Sequence, residues 1–351
     1  MSLLKSIFSI TLIGIVATVS AQDIHFSQFY MSPLNLNPAM TGVLNCKNRF
    51  AANYRNQWAS VLGGDAYNTY SLSYDQKNPV GREDYFGIGG TIWSDVAGEA
   101  RYGMTQARLS GSYSKKMAGK RKSASYAVIG ADLGVTQRRI SSADLRWPSQ
   151  ITSGGFDPTL PGEVLDNTSK YYPDLSIGAL WFTVKDEVNY WYLGAAMAHV
   201  NRPNIAFLST SSPLYSRITL HGGGEFGLTS KVSAMPFFLV MNQGPHIQYN
   251  FGSSLRFALG NPKINPQSWE AGLYYRLGMQ STGVDGSGRT LHSDALILQT
   301  KFNTGNVSYG FSYDINVSKL AVGSPGNGSL EFSVMYQICG PEARGVYCPR
   351  F

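Results

Sequence analysis

The alternation of apolar with polar or small side chains is the feature that most constrains what this chain can fold into. Residues 307–315 read VSYGFSYDI and residues 330–338 read LEFSVMYQI, so large apolar residues occupy every second position. Successive side chains of a β-strand point to opposite faces, and membrane-crossing barrel strands alternate in this way over about ten residues. The pattern predicts an all-β fold, an antiparallel transmembrane β-barrel.

Counting such runs predicts about fourteen strands, an even number as in single-chain bacterial barrels. Charged residues within them fall on the polar face, because a basic side chain facing lipid at mid-depth costs about 2–4 kcal/mol. The charged residues expected in the lumen are Arg108, Arg256, Glu270, Arg276 and Glu331. The predicted strands lie near residues 49–58, 66–76, 85–95, 103–115, 124–140, 172–183, 190–200, 217–228, 232–243, 246–259, 267–276, 293–303, 306–316 and 329–338.

The lengths of the connections indicate which rim of the barrel faces the periplasm, since outer-membrane barrels have short periplasmic turns and longer outer loops. The short connections fall at residues 77–84, 118–123, 185–189, 229–231, 260–266 and 304–305, and the long ones at 141–171, 201–216, 277–292 and 317–328. A short outer turn at Gly244–Pro245 is the exception. The barrel domain is predicted over residues 49–338, with its first strand starting on the periplasmic side.

Composition argues against the alternative of a soluble β-sandwich. Charged residues make up 15% of the chain, against about 25% in typical soluble domains. A sandwich would need more charge on its outer face, whereas a barrel presents that face to lipid. The net charge is +7, but the basic residues are dispersed apart from a cluster at residues 115–122, interpreted as a turn. We therefore expect no nucleic-acid partner.

The N-terminal residues predict export. Lys5 precedes a short apolar run at residues 7–19, and small residues follow at 19–21, which is typical of a secretory signal peptide over residues 1–21. The alternative, a membrane anchor, is disfavoured because the run is too short to span a bilayer. Residues 22–48 lie outside the strands and are too apolar to remain free in water. They are predicted to plug the lumen or to lie beneath it in the periplasm.

No motif points convincingly to catalysis. The sequence His221-Gly222-Gly223-Gly224 is similar to the oxyanion-hole loop of esterases, but no G-x-S-x-G nucleophile elbow accompanies it. The histidines show no zinc-binding spacing. His199 and His221 flank one outer loop and would meet only as part of a polar rim. We expect neither an enzyme nor a cofactor or metal site.

Three cysteines predict one disulfide and one remaining thiol in an oxidising compartment. Cys46 precedes the first strand, Cys339 follows the last, and Cys348 lies in a tail at residues 339–351 that does not continue a strand. We favour a bond between Cys339 and Cys348 within this periplasmic tail over a bond from Cys46 across the barrel seam.

Several segments resemble the PorP/SprF family of outer-membrane proteins, and the resemblance extends over nearly the whole mature chain. The most specific block is the opening one, QDIHFSQFY at residues 22–30, followed by PLNLNPA at 33–39 and Thr41-Gly42. The other matching segments are YRNQW at 54–58, DLSIG at 174–178, YLG at 192–194, HVNRP at 199–203 and CPRF at 348–351.

The resemblance implies a non-enzymatic role in type IX secretion and gliding motility of Bacteroidetes. Such proteins are thought to support export or surface anchoring of a large adhesin through its C-terminal sorting domain. The implied partners are that domain, periplasmic and outer-membrane components of the machinery, and membrane lipid. The alternative is a passive outer-membrane channel or hydrophobic-solute transporter. Partner-contact candidates in the two non-strand ends are Phe26, Phe29, Tyr30, Pro33, Pro38, Pro341, Pro349, Arg350 and Phe351.

Overall fold

Fourteen antiparallel strands form one closed barrel in the computed structural model of the chain. The structure describes residues 23–120, 123–141, 145–162, 168–186, 188–207, 211–260, 267–281, 288–324, 326–339 and 348–349. Each strand pairs with the next along the chain, and the last pairs with the first. The strands are β1 (Asn48–Gln57), β2 (Tyr67–Val80), β3 (Asp84–Ala97), β4 (Tyr102–Lys120), β5 (Ser123–Arg139), β6 (Ser169–Val184), β7 (Tyr190–Ala198), β8 (Arg217–Gly227), β9 (Val232–Gln243), β10 (His246–Leu259), β11 (Gln267–Ser281), β12 (Arg289–Thr304), β13 (Val307–Asn316) and β14 (Asn327–Ile338).

Helices in the described residues are short, and none of them is part of the barrel wall. They are α1 (Pro33–Leu36), α2 (Ala59–Leu62) and 3₁₀ turns at Phe29–Met31, Pro38–Met40, Gly63–Asp65, Pro148–Gln150 and Lys319–Val322. Two-residue strands at Ile151–Thr152 and Gly155–Phe156 pair with each other in the connection after β5. None of the helices in the described ranges has the length and apolar character needed to cross a bilayer.

The predicted alternation separates the two faces of the wall. Outward-facing apolar side chains such as Leu109 and Ile129 are 76% and 68% exposed, as expected for a surface that lies in lipid. The lumen-facing side chains are buried and include the charged ones: of the charged residues expected there, Arg108, Glu270, Arg276 and Glu331 are at most 8% exposed. The fifth, Arg256, forms an ion pair with buried Glu225. The strand number and the charged lumen are therefore confirmed.

The two rims of the barrel carry different connections. The terminal rim, where β1 starts and β14 ends, holds the connections at residues 81–83, 121–122, 185–189, 228–231, 260–266 and 305–306. The distal rim, at the opposite end, holds those at residues 58–66, 98–101, 140–168, 199–216, 244–245, 282–288 and 317–326. The two longest connections lie at the distal rim, and residues 244–245 form the short exception that was expected.

The barrel closes by ten residue pairs between β1 and β14, from Asn48 opposite Ile338 to Gln57 opposite Ser329. This register brings the residues that flank the seam together at the terminal rim, and Cys46 forms a disulfide with Cys339, the Cα atoms being 4.2 Å apart. The expected bond between Cys339 and Cys348 is wrong, because the closing pair of strands places Cys46 directly beside Cys339.

Several sequence-based expectations concern residues outside the described ranges. These are the signal peptide at residues 1–21, the middle of the basic cluster at Arg121 and Lys122, and three of the tail candidates, Pro341, Arg350 and Phe351. They stay predictions, as do the proposed domain boundaries.

Candidate functional site

The N-terminal segment fills the lumen of the barrel. Residues 23–47, called the plug below, begin beside Gln243 at the distal rim and end beside Cys339 at the terminal rim. Their apolar side chains form one core with inward-facing aromatic residues of the wall; Tyr30, for example, stacks on Phe237 with 5.7 Å between ring centroids. The sequence left open whether this segment plugs the lumen or lies beneath it. In the structure the segment lies inside the lumen as a plug.

The partner-contact candidates in the plug are not on the surface. Phe26, Phe29, Tyr30, Pro33 and Pro38 are all buried inside the barrel. Phe29, for example, packs edge-to-face on Phe237. This corrects the expectation that they are contact sites for a partner protein, since they pack inside the chain's own barrel.

The first residue of the plug is held by a group of buried charges, the distal latch, formed by Asp23, Asp174, His199 and Arg217. His199 Nε2 lies 2.5 Å from Asp23 Oδ2 and its Nδ1 lies 2.8 Å from Asp174 Oδ1. Arg217 Nη1 lies 3.2 Å from the same oxygen of Asp23. Because a carboxylate faces each ring nitrogen, His199 is an imidazolium that donates both N–H groups. The side chains of the four residues are at most 12% exposed, so these are interior ion pairs.

The distal latch fixes the protonation states of its members outside the strands. Burial alone would lower the pKa of His199, but the charge and hydrogen bonds of Asp23 and Asp174 outweigh it and raise the pKa to about 9. Burial alone would raise the pKa of Asp23, but the positive charges of His199 and Arg217 lower it below its usual range. Asp23 and His199 are therefore both charged near neutral pH.

A second anchor holds the next turn of the plug through Glu331 of β14. The carboxylate accepts hydrogen bonds from the backbone N–H groups of Ser27 at 2.7 Å and Gln28 at 2.9 Å. Arg55 of β1 forms an ion pair with the same carboxylate. The Ser27 hydroxyl donates to Asp314 at 2.8 Å and accepts from Arg55 and Arg276, both at 3.0 Å. Hydrogen bonds between charged and backbone groups are the stronger class, so this anchor orients the plug as well as neutralising the wall.

The middle of the plug is held by Asn37. Its side-chain amide donates to the carbonyl groups of Ala179 at 3.1 Å and Ala195 at 3.2 Å, and lies 3.0 Å from Nε2 of His221. The candidate oxyanion-hole sequence that starts at His221 therefore forms part of the plug seat. His199 and His221, which the sequence placed around one loop, are held by different residues of the plug.

The part of the plug nearest the terminal rim is bound by a bidentate ion pair between Arg49 and Asp75. Arg49 donates to both carboxylate oxygens at 2.9 and 2.8 Å, and Asp75 also accepts from the backbone N–H of Gly42 at 2.7 Å. The same guanidinium donates to the carbonyl of Met40 at 3.1 Å. Two strands and two plug residues are thus joined by a single buried pair.

The plug backbone approaches the wall so closely that only glycine fits at some wall positions. A Cβ atom on Gly87 would lie 2.2 Å from the carbonyl oxygen of Thr41, and one on Gly130 would lie 2.6 Å from the Cα of Ala39. Backbone atoms cannot move aside as a flexible side chain can, so these glycines define the seat of the plug.

The end of the tail docks at the terminal rim. The backbone N–H of Cys348 donates to Asn45 Oδ1 at 2.6 Å, and its sulfur lies 3.5 Å from Tyr85 Oη and 3.7 Å from Lys77 Nζ. Cys348 and the candidate Pro349 are both buried. The tail thus contacts the plug beside the seam disulfide.

Sequence reasoning missed the plug residues that make these contacts, above all Asp23, Asn37 and Gly42. The available signal was a carboxylate and an amide within an otherwise apolar segment, since buried polar groups need partners. Among the described residues, no group of three or more His, Cys, Asp or Glu side chains is placed to hold a metal ion.

The sequence matches the family described as "Type IX secretion system membrane protein PorP/SprF" over residues 18–336. No curated protein matches it.

Among solved structures, the chain is similar to CdiB from Escherichia coli, with 8% identity and a TM-score of 0.46 over 82% of this chain and 62% of CdiB. It is similar to the TodX monoaromatic hydrocarbon channel deltaS2 mutant, with 11% identity and a TM-score of 0.41 over 87% of this chain and 93% of that one. It is also similar to the β domain of the Bordetella autotransporter BrkA, with 12% identity and a TM-score of 0.38 over 84% of this chain and all of that domain. The chain therefore spans less than two thirds of the length of CdiB.

Proposed function

The chain belongs to the PorP/SprF family of type IX secretion system membrane proteins, and from that premise we propose that it supports export or surface anchoring of a large adhesin through the adhesin's C-terminal sorting domain. A closed barrel of this family lies in the outer membrane. The proposed role is non-enzymatic binding, with the distal rim facing the cell surface and the terminal rim facing the periplasm.

The observation that supports binding over conduction is the filled lumen. The plug is held at three levels, by the distal latch, by Glu331 and by the pair of Arg49 with Asp75. A solute crossing the barrel would have to displace these buried charge pairs, and separating a buried pair costs several kcal/mol. The engagement of Glu331, Arg49 and Asp75 with the plug therefore supports a binding role over a conducting one.

The distal connections offer the surface on which we expect the sorting domain to dock. Ile151 and Phe156, on the small hairpin after β5, are 65% and 42% exposed, and Val322 in the last distal connection is 94% exposed. These side chains lie beyond the strand ends, so lipid does not cover them. Contiguous exposed apolar patches mark protein-binding surfaces, and we expect Ile151 and Phe156, which face each other in one hairpin, to contribute to such a patch.

The terminal rim is where we expect periplasmic components to bind. Cys348 lies at this rim, where its backbone N–H donates to Asn45 of the plug. A partner that binds the tail would therefore contact the tail, the plug and the seam together.

The test is adhesin display by cells that carry the double substitution Ile151→Ser and Phe156→Ser. We expect loss of the adhesin from the cell surface, because the apolar contact area is removed while the barrel wall is unchanged. Heat-modifiable migration in a gel reports that the barrel is folded. The matched control is Ser153→Ala at the exposed turn of the same hairpin, which removes a polar group and should leave display normal.

Two outcomes would contradict the proposal. Normal display by the double variant would remove the role of this hairpin. Ion conduction or solute uptake by the purified wild-type barrel in liposomes, without any co-purifying adhesin fragment, would favour the alternative of a channel or transporter.

A further inference from the structure

A cavity of about 310 Å3 opens beside the plug at the distal rim. It lies between the plug residue His25 and the ends of β1, β10, β11, β12, β13 and β14. The side chains that matter below are Trp58, Gln248, Gln280, His292, Asp294 and Asn316. Its volume is at the lower end of the range of about 300–1,000 Å3 typical of small-molecule sites.

Irregular backbone is concentrated around this cavity. The register between β11 and β12 jumps so that Asp294 is an extra residue, and the register between β13 and β14 jumps so that Gly328 is an extra residue. Trp58 has a left-handed backbone with φ of 61°. Bulges redirect side chains and are over-represented beside binding sites, and backbone strain in a non-glycine residue likewise clusters there. All three irregular residues line the cavity.

Trp58 forms a fixed wall of the cavity. Its backbone N–H donates to the carbonyl of Gly328 at 2.9 Å, which joins two of the irregular positions. Its ring packs on Tyr67 with 5.5 Å between centroids. The indole is thus held by a strained backbone and an aromatic neighbour while it stays partly exposed.

The opposite wall depends on a glycine. A Cβ atom on Gly278 would lie 2.4 Å from Nε2 of His292, so the imidazole lies across β11 because that strand has no side chain at this point. Gly278 also pairs with Gln248 of β10. Imidazole and carboxamide groups are therefore presented side by side.

The charges around the cavity are already paired. Arg276 forms ion pairs with Asp294 and with Asp314, the latter at 2.8 Å, and Arg55 pairs with Glu331. Burial and the nearby charges of Arg55 and Arg276 lower the pKa of His25 well below its usual range, so its ring is neutral. Three carboxylates against two guanidinium groups disfavour an anionic ligand.

What remains for a ligand is a set of groups that both donate and accept hydrogen bonds. The carboxamides of Gln248 and Gln280 each have an acceptor oxygen and two donor hydrogens, and each sugar hydroxyl likewise donates and accepts. The Asn316 amide is already bonded to Ser318 and Ser324 and only borders the site. An aromatic ring supplies a flat apolar surface for the C–H face of a pyranose. A neutral polyhydroxyl ligand therefore matches both the lining and the charge balance.

We propose that this cavity binds one neutral pyranose unit, such as the end of a surface glycan, stacked on Trp58 and hydrogen-bonded by Gln248 and Gln280. The site is at the rim expected to face the cell surface, and no displacement of the plug is needed to fill it. The proposal does not depend on adhesin binding, so either can fail without the other.

The experiment is saturation-transfer difference NMR on the full mature chain in detergent micelles, with glucose, galactose, mannose and N-acetylglucosamine as probes. Glucuronic acid and glucosamine are the charged comparators. We expect transfer to at least one neutral sugar, with weaker transfer to both charged ones. Trp58→Ala and Gln248→Leu should each weaken that binding about tenfold, the size expected for removing one buried hydrogen-bonded or stacked group.

Matched variants separate binding from folding. Trp58→Phe keeps an aromatic wall and should keep most of the binding, and Trp147→Ala removes a tryptophan from the connection after β5 and should change nothing. If Trp58→Ala fails to fold, Gln248→Leu decides. No transfer to any neutral sugar, equal binding by Gln248→Leu and wild type, or tighter binding of glucuronic acid would each overturn the proposal.

Discussion

Replacing Asp23 by asparagine should release the distal end of the plug without unfolding the barrel. The substitution keeps the shape of the side chain but removes the negative charge that faces His199 and Arg217. In the wild type, the neighbouring carboxylates raise the pKa of His199 from 6.5 to about 9. A shift of this size corresponds to about 3 kcal/mol, of which we assign about 2 kcal/mol to Asp23 as the largest favourable contribution.

A loss of about 2 kcal/mol should increase the population of the opened plug end about 30-fold. Hydrogen exchange measured by mass spectrometry reports this opening, because the N–H groups of Asp23, Ser27 and Gln28 are all bonded to wall side chains. We expect faster exchange in a peptide covering residues 23–31. Exchange at Gly42, which is bonded to Asp75, should stay as in the wild type.

Asp157→Asn is the matched control, since Asp157 is an exposed carboxylate of a distal connection that bonds only to its neighbour Thr159 among the described contacts. It should exchange like the wild type throughout. Exchange of residues 23–31 that changes by less than twofold in Asp23→Asn would refute the assignment of the latch. A general increase that includes Gly42 would show that the whole plug moves as one body.

Three further predictions follow from the anchors and the seam. Because the pKa of His199 is raised, the stability that His199 contributes to the distal latch is complete below about pH 6.5 and is lost as the pH rises through about 9. The hydrogen-exchange rate of the plug, corrected for the intrinsic rate, should therefore increase above pH 9. A corrected rate that does not depend on pH would contradict this. Gly130→Ala should destabilise the chain by about 1–3 kcal/mol through overpacking, measured as a lower heat-modification temperature. Gly111→Ala should be neutral, because the nearest atom to the added Cβ would be 3.9 Å away. Equal temperatures for the two variants would argue against Gly130 as part of the plug seat. Peptide mapping without reduction should recover Cys46 linked to Cys339, and serine at either position should cost about 2–4 kcal/mol; a peptide linking Cys339 to Cys348 would reverse this pairing.

The wall of the barrel was predictable because its signal is local. Alternation within ten residues identified each strand and put Arg108, Glu270 and Glu331 on the inner face, and connection length separated the rims. Neither inference requires knowing which distant residues meet, because the pleat of a strand fixes the direction of each side chain.

The path of the plug was not predictable in the same way. Asn37 and His221 are 184 residues apart in the sequence, and Ser27 and Glu331 are 304 apart. The residues next to each of them in the sequence therefore do not indicate which distant residue it contacts. The disulfide was mispredicted for a related reason: proximity along the chain favoured Cys348, whereas closure of the cylinder brought Cys46 to Cys339. Contacts made by closure become visible only when the register of the last strand against the first is known.

The course of the plug, from the seam at one rim to the distal latch at the other, has a consequence for assembly. Its polar partners come from strands all around the wall, among them Glu331, Asp75 and His221. Threading a free end through an already sealed cylinder would require it to pass these buried ion pairs, and separating such a pair costs several kcal/mol. We therefore expect the sheet to form around residues 23–47 and the last hairpin to close only once they are in place.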